Sequence, residues 1–194
     1  MIFHDQTYAA LVVSANDRFT EAISKMLPPS EYWPVVTAGS VAEAGRKCKE
    51  QAFDVVLVNT PLPDDFGLRF AAQVTESGDA SVLVFCRAEV YEEVSSKAAA
   101  HGILTISKPV PTQFTAQILR AMCAMRERVR SFEKKQATVE KKIEDMRIIN
   151  RAKWLLIECL SMTEADAHRY IEKQAMDMRV TKREVADTII RTYS

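Results

Sequence analysis

The residues best suited to metal or redox chemistry in this sequence are its four cysteines, Cys48, Cys86, Cys123 and Cys159. They lie far apart, no two of them form a C-x-x-C pair, and only three histidines are present to complete a metal site. This spacing favours buried thiols in a reducing cytoplasm over a disulfide framework or a zinc site. The sequence therefore predicts no metal ion and no cofactor.

A second chemical feature is the distribution of charge along the chain. The 194 residues carry 26 basic and 26 acidic side chains, so the chain as a whole is neutral. Residues 1–123 hold 10 Lys and Arg against 14 Asp and Glu, whereas residues 124–194 hold 16 against 12. This asymmetry places any polyanionic partner on the C-terminal part.

The first half of the chain alternates short apolar runs with helical patterns. Runs rich in Val, Ile and Leu, typical of strands buried on both faces, occur at residues 9–13, 35–37, 55–58, 82–85 and 103–106. Helical patterns separate them at residues 17–26, 41–51, 68–75 and 90–100. This order predicts an α/β fold with a doubly wound, five-stranded parallel sheet whose functional edge lies at the carboxyl ends of the strands.

The second half reads as helical throughout, since residues 112–194 contain neither Gly nor Pro. Apolar residues recur there at alternating steps of four and three, which is the pattern of a coiled-coil seam. The seam comprises Ile118, Met122, Met125, Val129, Phe132, Val139, Ile143 and Met146, with Gln136 in its one polar position. It predicts a coiled-coil linker over residues 118–146 that joins two chains in a parallel homodimer.

Two further helix starts follow the seam. Thr163 and Thr181 each precede a carboxylate by three residues, Asp166 and Glu184 respectively, which is the spacing of an N-terminal cap. With the continuation of the coiled-coil helix, these helices predict a small all-α three-helix domain at residues 147–194, behind a first domain at residues 1–117.

Membrane association is not expected. The first five residues lack a basic start followed by an apolar run, and no apolar stretch approaches the ~20 residues that span a bilayer. We therefore expect a cytoplasmic protein.

The segment at residues 59–67 resembles the one after the third strand of response-regulator receiver domains. There an aspartate precedes a proline by four residues and a glycine by eight, and Pro63 and Gly67 hold both places. Lys108-Pro109 matches the family's other strong marker, after the fifth strand. The resemblance covers about residues 7–123 and implies the receiver, or flavodoxin-like, fold.

The same resemblance implies a degenerate phosphoacceptor pocket. Asn59 stands where the family has its acceptor aspartate, and Ser14 and Ala15 stand where an acidic pair holds a divalent cation. Cys86 replaces the usual hydroxyl residue and Thr105 the switch aromatic, while Lys108 remains. Because an amide cannot form an acyl phosphate, we predict a pseudo-receiver that is not regulated by phosphorylation.

Several residues of this pocket admit two interpretations. The Lys108 ammonium either donates a hydrogen bond to Asn59 or a backbone carbonyl, which we favour, or retains some catalytic role. Asp17, Asp64 and Asp65 could collect a cation, but they fit equally well as helix-cap and turn residues. Cys86 could sense redox state, although a buried strand-end thiol is more often inert.

The C-terminal part resembles the ANTAR family, the RNA-binding modules of transcription antitermination regulators. The matching elements are Ala152-Lys153, the helix start at residues 164–167, the run at residues 170–177 and Glu184-Val185-Ala186. The match covers about residues 140–193. It implies a dimer that binds paired stem-loops in nascent RNA, favours them over an overlapping terminator and catalyses no covalent chemistry, so the protein is not expected to be an enzyme.

Loop bases are read by hydrogen-bonding and aromatic side chains, while Lys and Arg meet the phosphates. Tyr170 and Gln174 are possible base contacts, and the candidate phosphate contacts are Lys153, Arg169, Lys173, Arg179, Lys182 and Arg183. Any single one of these cations is about as well explained as part of a solvated helix face. Trp154, which stands where the family often has glycine, either packs against a partner helix, which we favour, or stacks on a loop base. His168 has no expected role.

Two other classes of function compete with RNA binding. A basic helical tail behind a receiver is also typical of DNA-binding transcription regulators, although the third helix lacks an obvious set of base-reading residues. A protein-interaction scaffold would tolerate reversal of Lys153 and Lys173. The input signal, whether a sensor protein on the receiver face or a small ligand in the vacant pocket, cannot be read from the sequence.

Overall fold

The computed structural model describes residues 7–78 and 80–193 and divides the chain between Val129 and Arg130 into two compact units. The five N-terminal residues inspected for a targeting signal lie outside the described part. Met1, where the first predicted domain begins, and Ser194, where the last one ends, also lie outside it. The predicted limits at residues 117 and 147 stay predictions. Each unit is described by itself.

The first unit begins with alternating strands and helices. Its strands are β1 (Tyr8–Val13), β2 (Tyr32–Ala38), β3 (Val55–Asn59), β4 (Ser81–Arg87) and β5 (Leu104–Lys108). Its helices are α1 (Asp17–Ser24), α2 (Val41–Glu50), α3 (Leu68–Glu76) and α4 (Tyr91–Ala99), and a long helix, α5 (Thr112–Leu160), follows β5. The strands form one parallel sheet in the order β2-β1-β3-β4-β5. The predicted α/β fold is confirmed.

The sheet is buried on both faces because its strands are apolar at nearly every position. Leu11, Val56 and Val84 belong to the core on one face, which also contains residues of α2, α3 and α4. Val12 and Leu57 belong to the core on the other face, together with residues of α1 and the start of α5. Alternate residues of a strand point to opposite faces, so both cores require continuous Val and Leu runs.

The strand β2 is longer than the predicted run at residues 35–37, because it begins at Tyr32 and contains Pro34. Proline lacks the N–H that an inner strand donates, but β2 lies at the edge of the sheet, where proline is tolerated. The helix α1 ends at Ser24, two residues earlier than predicted, just ahead of Pro28 and Pro29.

Arg126 attaches the end of the first unit's share of α5 to the sheet. Its side chain is almost fully buried, with Nε 3.7 Å from the Asp54 Oδ1 and Nη1 donating to the Gly78 carbonyl over 3.2 Å. The other Asp54 oxygen accepts the backbone N–H of Ala9 over 3.0 Å. A buried ion pair needs such additional hydrogen bonds to offset the desolvation of its charges.

The second unit contains the rest of α5, followed by α6 (Glu164–Met178) and α7 (Lys182–Tyr193). Its core is formed by Ala and branched aliphatic residues: Ala152, Leu156, Ala167, Ile171, Ala175, Val185, Ala186 and Ile189. Thr163 and Thr181 cap α6 and α7 as the sequence predicted. Thr181 accepts the Glu184 N–H over 3.2 Å, and the Glu184 carboxylate accepts the Thr181 N–H over 2.7 Å.

Gly67 provides a stability test of the turn that leads into α3. Its φ of 94° lies in the left-handed region, and an added Cβ would come within 3.1 Å of Val58 Cγ1 and 3.2 Å of Leu62 Cδ1. We expect Gly67→Ala to lower the free energy of unfolding by about 1–3 kcal/mol, measured by urea denaturation.

Gly45 is the matched control because it lies inside α2, where an added Cβ meets no heavy atom within 4 Å. Gly45→Ala should raise the free energy of unfolding by about 0.5–1 kcal/mol. Two substitutions with shifts of the same sign would contradict the strain assigned to Gly67.

Candidate functional site

The carboxyl ends of β1, β3 and β5 bring three polar side chains into one hydrogen-bonded network. The Asn59 amide Nδ2 donates to Ser14 Oγ over 2.9 Å, and Lys108 Nζ donates to Asn59 Oδ1 over 2.6 Å and to the Thr60 carbonyl over 2.8 Å. Ser14 and Asn59 are buried, and Lys108 is half-buried. The Lys108 ammonium therefore has both of the acceptors that the sequence indicated for it.

This network contains no carboxylate. Burial lowers the pKa of Lys108, and the nearby Arg87 guanidinium acts in the same direction. A phosphoacceptor aspartate beside this lysine would instead favour its charged form. The pocket thus combines a neutral amide, a hydroxyl and a partly desolvated ammonium.

Of the three acidic residues that could collect a cation, Asp64 and Asp65 accept backbone N–H groups instead. The Asp64 carboxylate accepts the N–H groups of Val41 and Ala42, both over 2.9 Å, at the start of α2, and these hydrogen bonds lower its pKa. Asp65 accepts the Gly67 N–H over 2.7 Å. Asp17 is exposed in the first turn of α1. Across residues 7–78 and 80–193, no group of three His, Cys, Asp or Glu could hold a metal ion.

The remaining pocket positions offer no reactive group. Cys86 is fully buried, and burial raises the pKa of its thiol, which donates a long contact of 3.8 Å to the Ile106 carbonyl. A thiol with a raised pKa is a poor nucleophile at neutral pH. The Thr105 hydroxyl is buried and has no hydrogen-bond partner among the described residues. Ala15 is exposed.

The prediction that all four cysteines are buried is wrong for Cys159. Cys86 and Cys123 are buried, and Cys48 is partly buried, but Cys159 is exposed near the end of α5. Cys159 is the last residue but one of α5, and it is not part of the core of the second unit. All four are free thiols.

The seam predicted on α5 differs in exposure from one end to the other. Ile118 and Met122 pack in the core of the first unit, where Met122 is 0% exposed. Beyond them the apolar members of the seam are all exposed: Met125, Val129, Phe132, Val139, Ile143 and Met146. The polar member, Gln136, donates to Glu140 Oε1 over 3.0 Å. We call the six exposed apolar residues of the seam, from Met125 to Met146, the α5 stripe.

Trp154 lies on the same side of the helix as the stripe. It follows Ile143 by eleven residues, about three helical turns, and its side chain is 64% exposed. An indole that is exposed within one chain is available either to a partner helix or to a base. Both interpretations of Trp154 stay open.

Four of the six candidate phosphate contacts are engaged in ion pairs within the second unit. Lys153 Nζ lies 3.1 Å from the Glu164 carboxylate, Arg183 Nη1 lies 2.6 Å from the Asp145 carboxylate, and Lys182 pairs with Glu172. These three pairs join different helices. Arg169 lies 3.0 Å from the Asp166 carboxylate within α6. The four cations thus already have anionic partners.

Lys173 and Arg179 differ from those four. Both are exposed, and neither has an ion-pair partner within residues 130–193. Lys173 follows Tyr170 by three residues on α6 and directly precedes Gln174, so the three share one helix face. Arg179, in the left-handed conformation with φ 56°, ends the helix. His168 lies 3.3 Å from Glu172 and is half exposed.

The acidic partners of these cations, and a groove beside Tyr170 and Gln174, were not predicted from the sequence. Glu164 and Asp166 were recognised only as helix-start residues, and Glu172 and Asp145 were assigned no role. The groove has a volume of about 190 Å³ between α6 and α7. No residue spacing in the sequence predicted the groove, because its walls come from two helices and depend on how these helices pack against each other.

A protein-family model matches part of the second unit. The ANTAR domain model matches residues 137–190. The transcriptional regulatory protein PdtaR of Mycobacterium tuberculosis is 25% identical over 170 residues, which cover 88% of this chain and 83% of that protein.

Solved structures resemble the first unit. The signal receiver domain of an HD domain-containing protein from Pseudomonas fluorescens has a TM-score of 0.60 at 18% identity, covering 68% of this chain and 97% of that one. The chemotaxis response regulator CheY4 of Vibrio cholerae has a TM-score of 0.53 at 21% identity, covering 60% and 99%. Such matches establish a shared receiver fold. No helix in the described part of the chain is long and apolar enough to cross a membrane.

Proposed function

Since the chain joins a receiver fold to an ANTAR domain, we propose that it is a transcription antiterminator that binds paired RNA stem-loops as a homodimer. The observation that carries this proposal is the pair of exposed cations, Lys173 and Arg179, that have no ion-pair partner within residues 130–193. Lys173 shares one face of α6 with Tyr170 and Gln174 inside the ANTAR match, and Arg179 ends the same helix. Such a face offers charge to phosphates and an aromatic ring to unstacked bases.

Dimerisation in this proposal uses the α5 stripe. An apolar stripe that repeats every seven residues buries its surface when a second copy packs against it. Two chains joined along the stripe would present two ANTAR domains to two adjacent stem-loops. Binding both loops at once raises the effective affinity well above that of one domain.

The receiver unit acts, in this proposal, as an input domain that does not use phosphoryl transfer. Asn59 lacks a carboxylate nucleophile, and Asp64 and Asp65 are held in cap and turn hydrogen bonds. A sensor protein on the receiver surface, or a small ligand, would replace the phosphoryl signal.

The pseudo-receiver can be tested with acetyl phosphate carrying a phosphoryl label. We expect no uptake by the full chain with magnesium present, because acceptor and metal ligands are both missing. A receiver domain with an intact aspartate serves as the positive control. Stoichiometric labelling at any pocket residue would show that the unit is a functioning receiver.

The experiment that tests the proposed function compares two nucleic acids. Full-length protein is mixed with a labelled RNA stem-loop pair taken from leader transcripts that it recovers from a bacterial transcript pool, and unlabelled competitors are added. We expect unlabelled stem-loop RNA to displace the label and duplex DNA to fail at equal phosphate concentration. Preferential displacement by duplex DNA would favour a DNA-binding regulator, and failure to recover any transcript from the pool would favour a scaffold.

A further inference from the structure

The second unit contains a groove between α6 and α7. Its floor is apolar and is formed by Val180, Val185 and Ile189. Its rim carries groups that stack or form hydrogen bonds, from Tyr170, Gln174 and Thr188. An apolar floor below a polar rim suits a flat ring whose edge bears donors and acceptors.

The size of the groove limits its occupant. A volume of about 190 Å³ is below the roughly 300–1,000 Å³ typical of sites for drug-sized ligands. One planar ring system fits such a space, whereas a helix or a peptide strand does not. The Tyr170 ring is 39% exposed, so a base that enters the groove can stack on it without displacing the core.

Two exposed cations adjoin the groove, whose lining in the described part of the chain includes the acidic Glu184 and no Lys or Arg. Lys173 lies on the same α6 face as Tyr170, and Arg179 lies between Met178 and Val180, which both line the groove. Within residues 130–193, these two exposed cations have no ion-pair partner, unlike Lys153, Arg169, Lys182 and Arg183. Phosphates on either side of an inserted nucleotide would meet them.

Glu184 is the acidic residue among those that line the groove. One of its oxygens, Oε2, accepts both the N–H and the hydroxyl of Thr181, over 2.7 and 2.8 Å. These hydrogen bonds lower the pKa of Glu184, so its carboxylate is charged at neutral pH. This carboxylate would repel a phosphate, whereas it could accept a hydrogen bond from the edge of a base.

We propose that this groove binds one unpaired base of an RNA loop, stacked on Tyr170 and hydrogen-bonded at its edge by the Gln174 amide. The inference rests on the proposed function and adds the site at which a loop nucleotide is held. Lys173 and Arg179 then contact the flanking phosphates. The cations bind RNA of any sequence through its phosphates, and the groove adds recognition of one unstacked base.

The test uses full-length protein and one stem-loop RNA recovered from the transcript pool, in which each loop nucleotide is made abasic in turn. We expect one abasic position to weaken binding roughly 5- to 100-fold, the range for a stacked base. Tyr170→Ala should weaken binding to the intact loop by a similar factor. Combined with that abasic position, it should cause little further loss, since both changes remove one contact.

Two protein variants complete the test. Tyr193→Ala removes a tyrosine of almost equal exposure, 38%, that does not line the groove, and it should leave binding unchanged. Thr188→Trp keeps Tyr170 but fills the groove, and it should weaken binding as Tyr170→Ala does. Circular dichroism of each variant establishes that its helices are retained.

The outcomes separate the two proposals. In one outcome, wild-type protein binds the loop while the losses of binding free energy from the abasic position and from Tyr170→Ala add. That result would overturn the proposal that the groove binds a base, and it would leave the proposed RNA-binding function standing. Unchanged binding by Thr188→Trp would do the same. Wild-type protein that fails to bind any stem-loop would overturn the proposed function itself.

Discussion

Exchanging Ile143 for aspartate is expected to convert the proposed dimer into a monomer. Ile143 is an exposed apolar member of the α5 stripe, the last but one in the heptad pattern. In a symmetric dimer both copies of the new carboxylate would be buried against the partner helix, where an unpaired charge is strongly unfavourable. Sedimentation equilibrium should give twice the 21.9 kDa chain mass for wild-type protein and the chain mass for Ile143→Asp.

Lys142→Asp is the control for this experiment, since it introduces the same side chain at the neighbouring position, outside the stripe. Lys142 is exposed and is not one of the apolar residues of the stripe. The control should sediment as a dimer, like the wild-type protein. A monomeric wild-type protein, or an Ile143→Asp variant that still sediments as a dimer, would rule out the stripe as the dimer interface.

Reversing the two unpaired cations of the second unit should have the second large effect. The double variant Lys173→Glu/Arg179→Glu should bind a stem-loop roughly 100-fold more weakly, because two charge-assisted contacts to phosphate are lost. The dependence of the binding constant on salt should also become shallower, by about one unit of slope for each phosphate contact removed. Filter binding at several salt concentrations measures both quantities.

The matched control reverses two lysines that lie elsewhere in the same unit. Lys141→Glu/Lys142→Glu changes the net charge by the same amount, and both positions are exposed on α5. If affinity depended only on total charge, the two double variants would lose the same affinity. An equal loss would therefore contradict a specific phosphate contact at Lys173 and Arg179.

The fold was predictable because its signal is local. Strands such as β3 and β4 are continuous apolar runs, and a strand buried on both faces requires such a run. Thr163 and Thr181 were recognisable as caps, since the cap and its carboxylate are three residues apart. The strand β2 was underestimated, because Pro34 interrupts its pattern and only its edge position makes the proline acceptable.

The candidate site was predictable in its residue types but not in its pairings. Asn59 and Lys108 are the last residues of β3 and β5, so their contact could be expected from a parallel sheet. The ion pairs Lys182–Glu172, Lys153–Glu164 and Arg183–Asp145 join residues 10, 11 and 38 positions apart, and they depend on how three helices pack. Of the six candidate cations, which the sequence does not distinguish, four form ion pairs in the fold and two have no ion-pair partner within residues 130–193.

The buried ion pair of Arg126 fixes the rotational phase of the first unit's share of α5 about its own axis. Arg126 directly follows Met125, the first residue of the α5 stripe, and precedes Val129 by three residues. Turning the helix would carry the guanidinium away from Asp54 and the Gly78 carbonyl. The direction of Met125 and Val129 is therefore set by the receiver sheet, and one residue inserted between positions 126 and 129 would displace Val129 by about 100°.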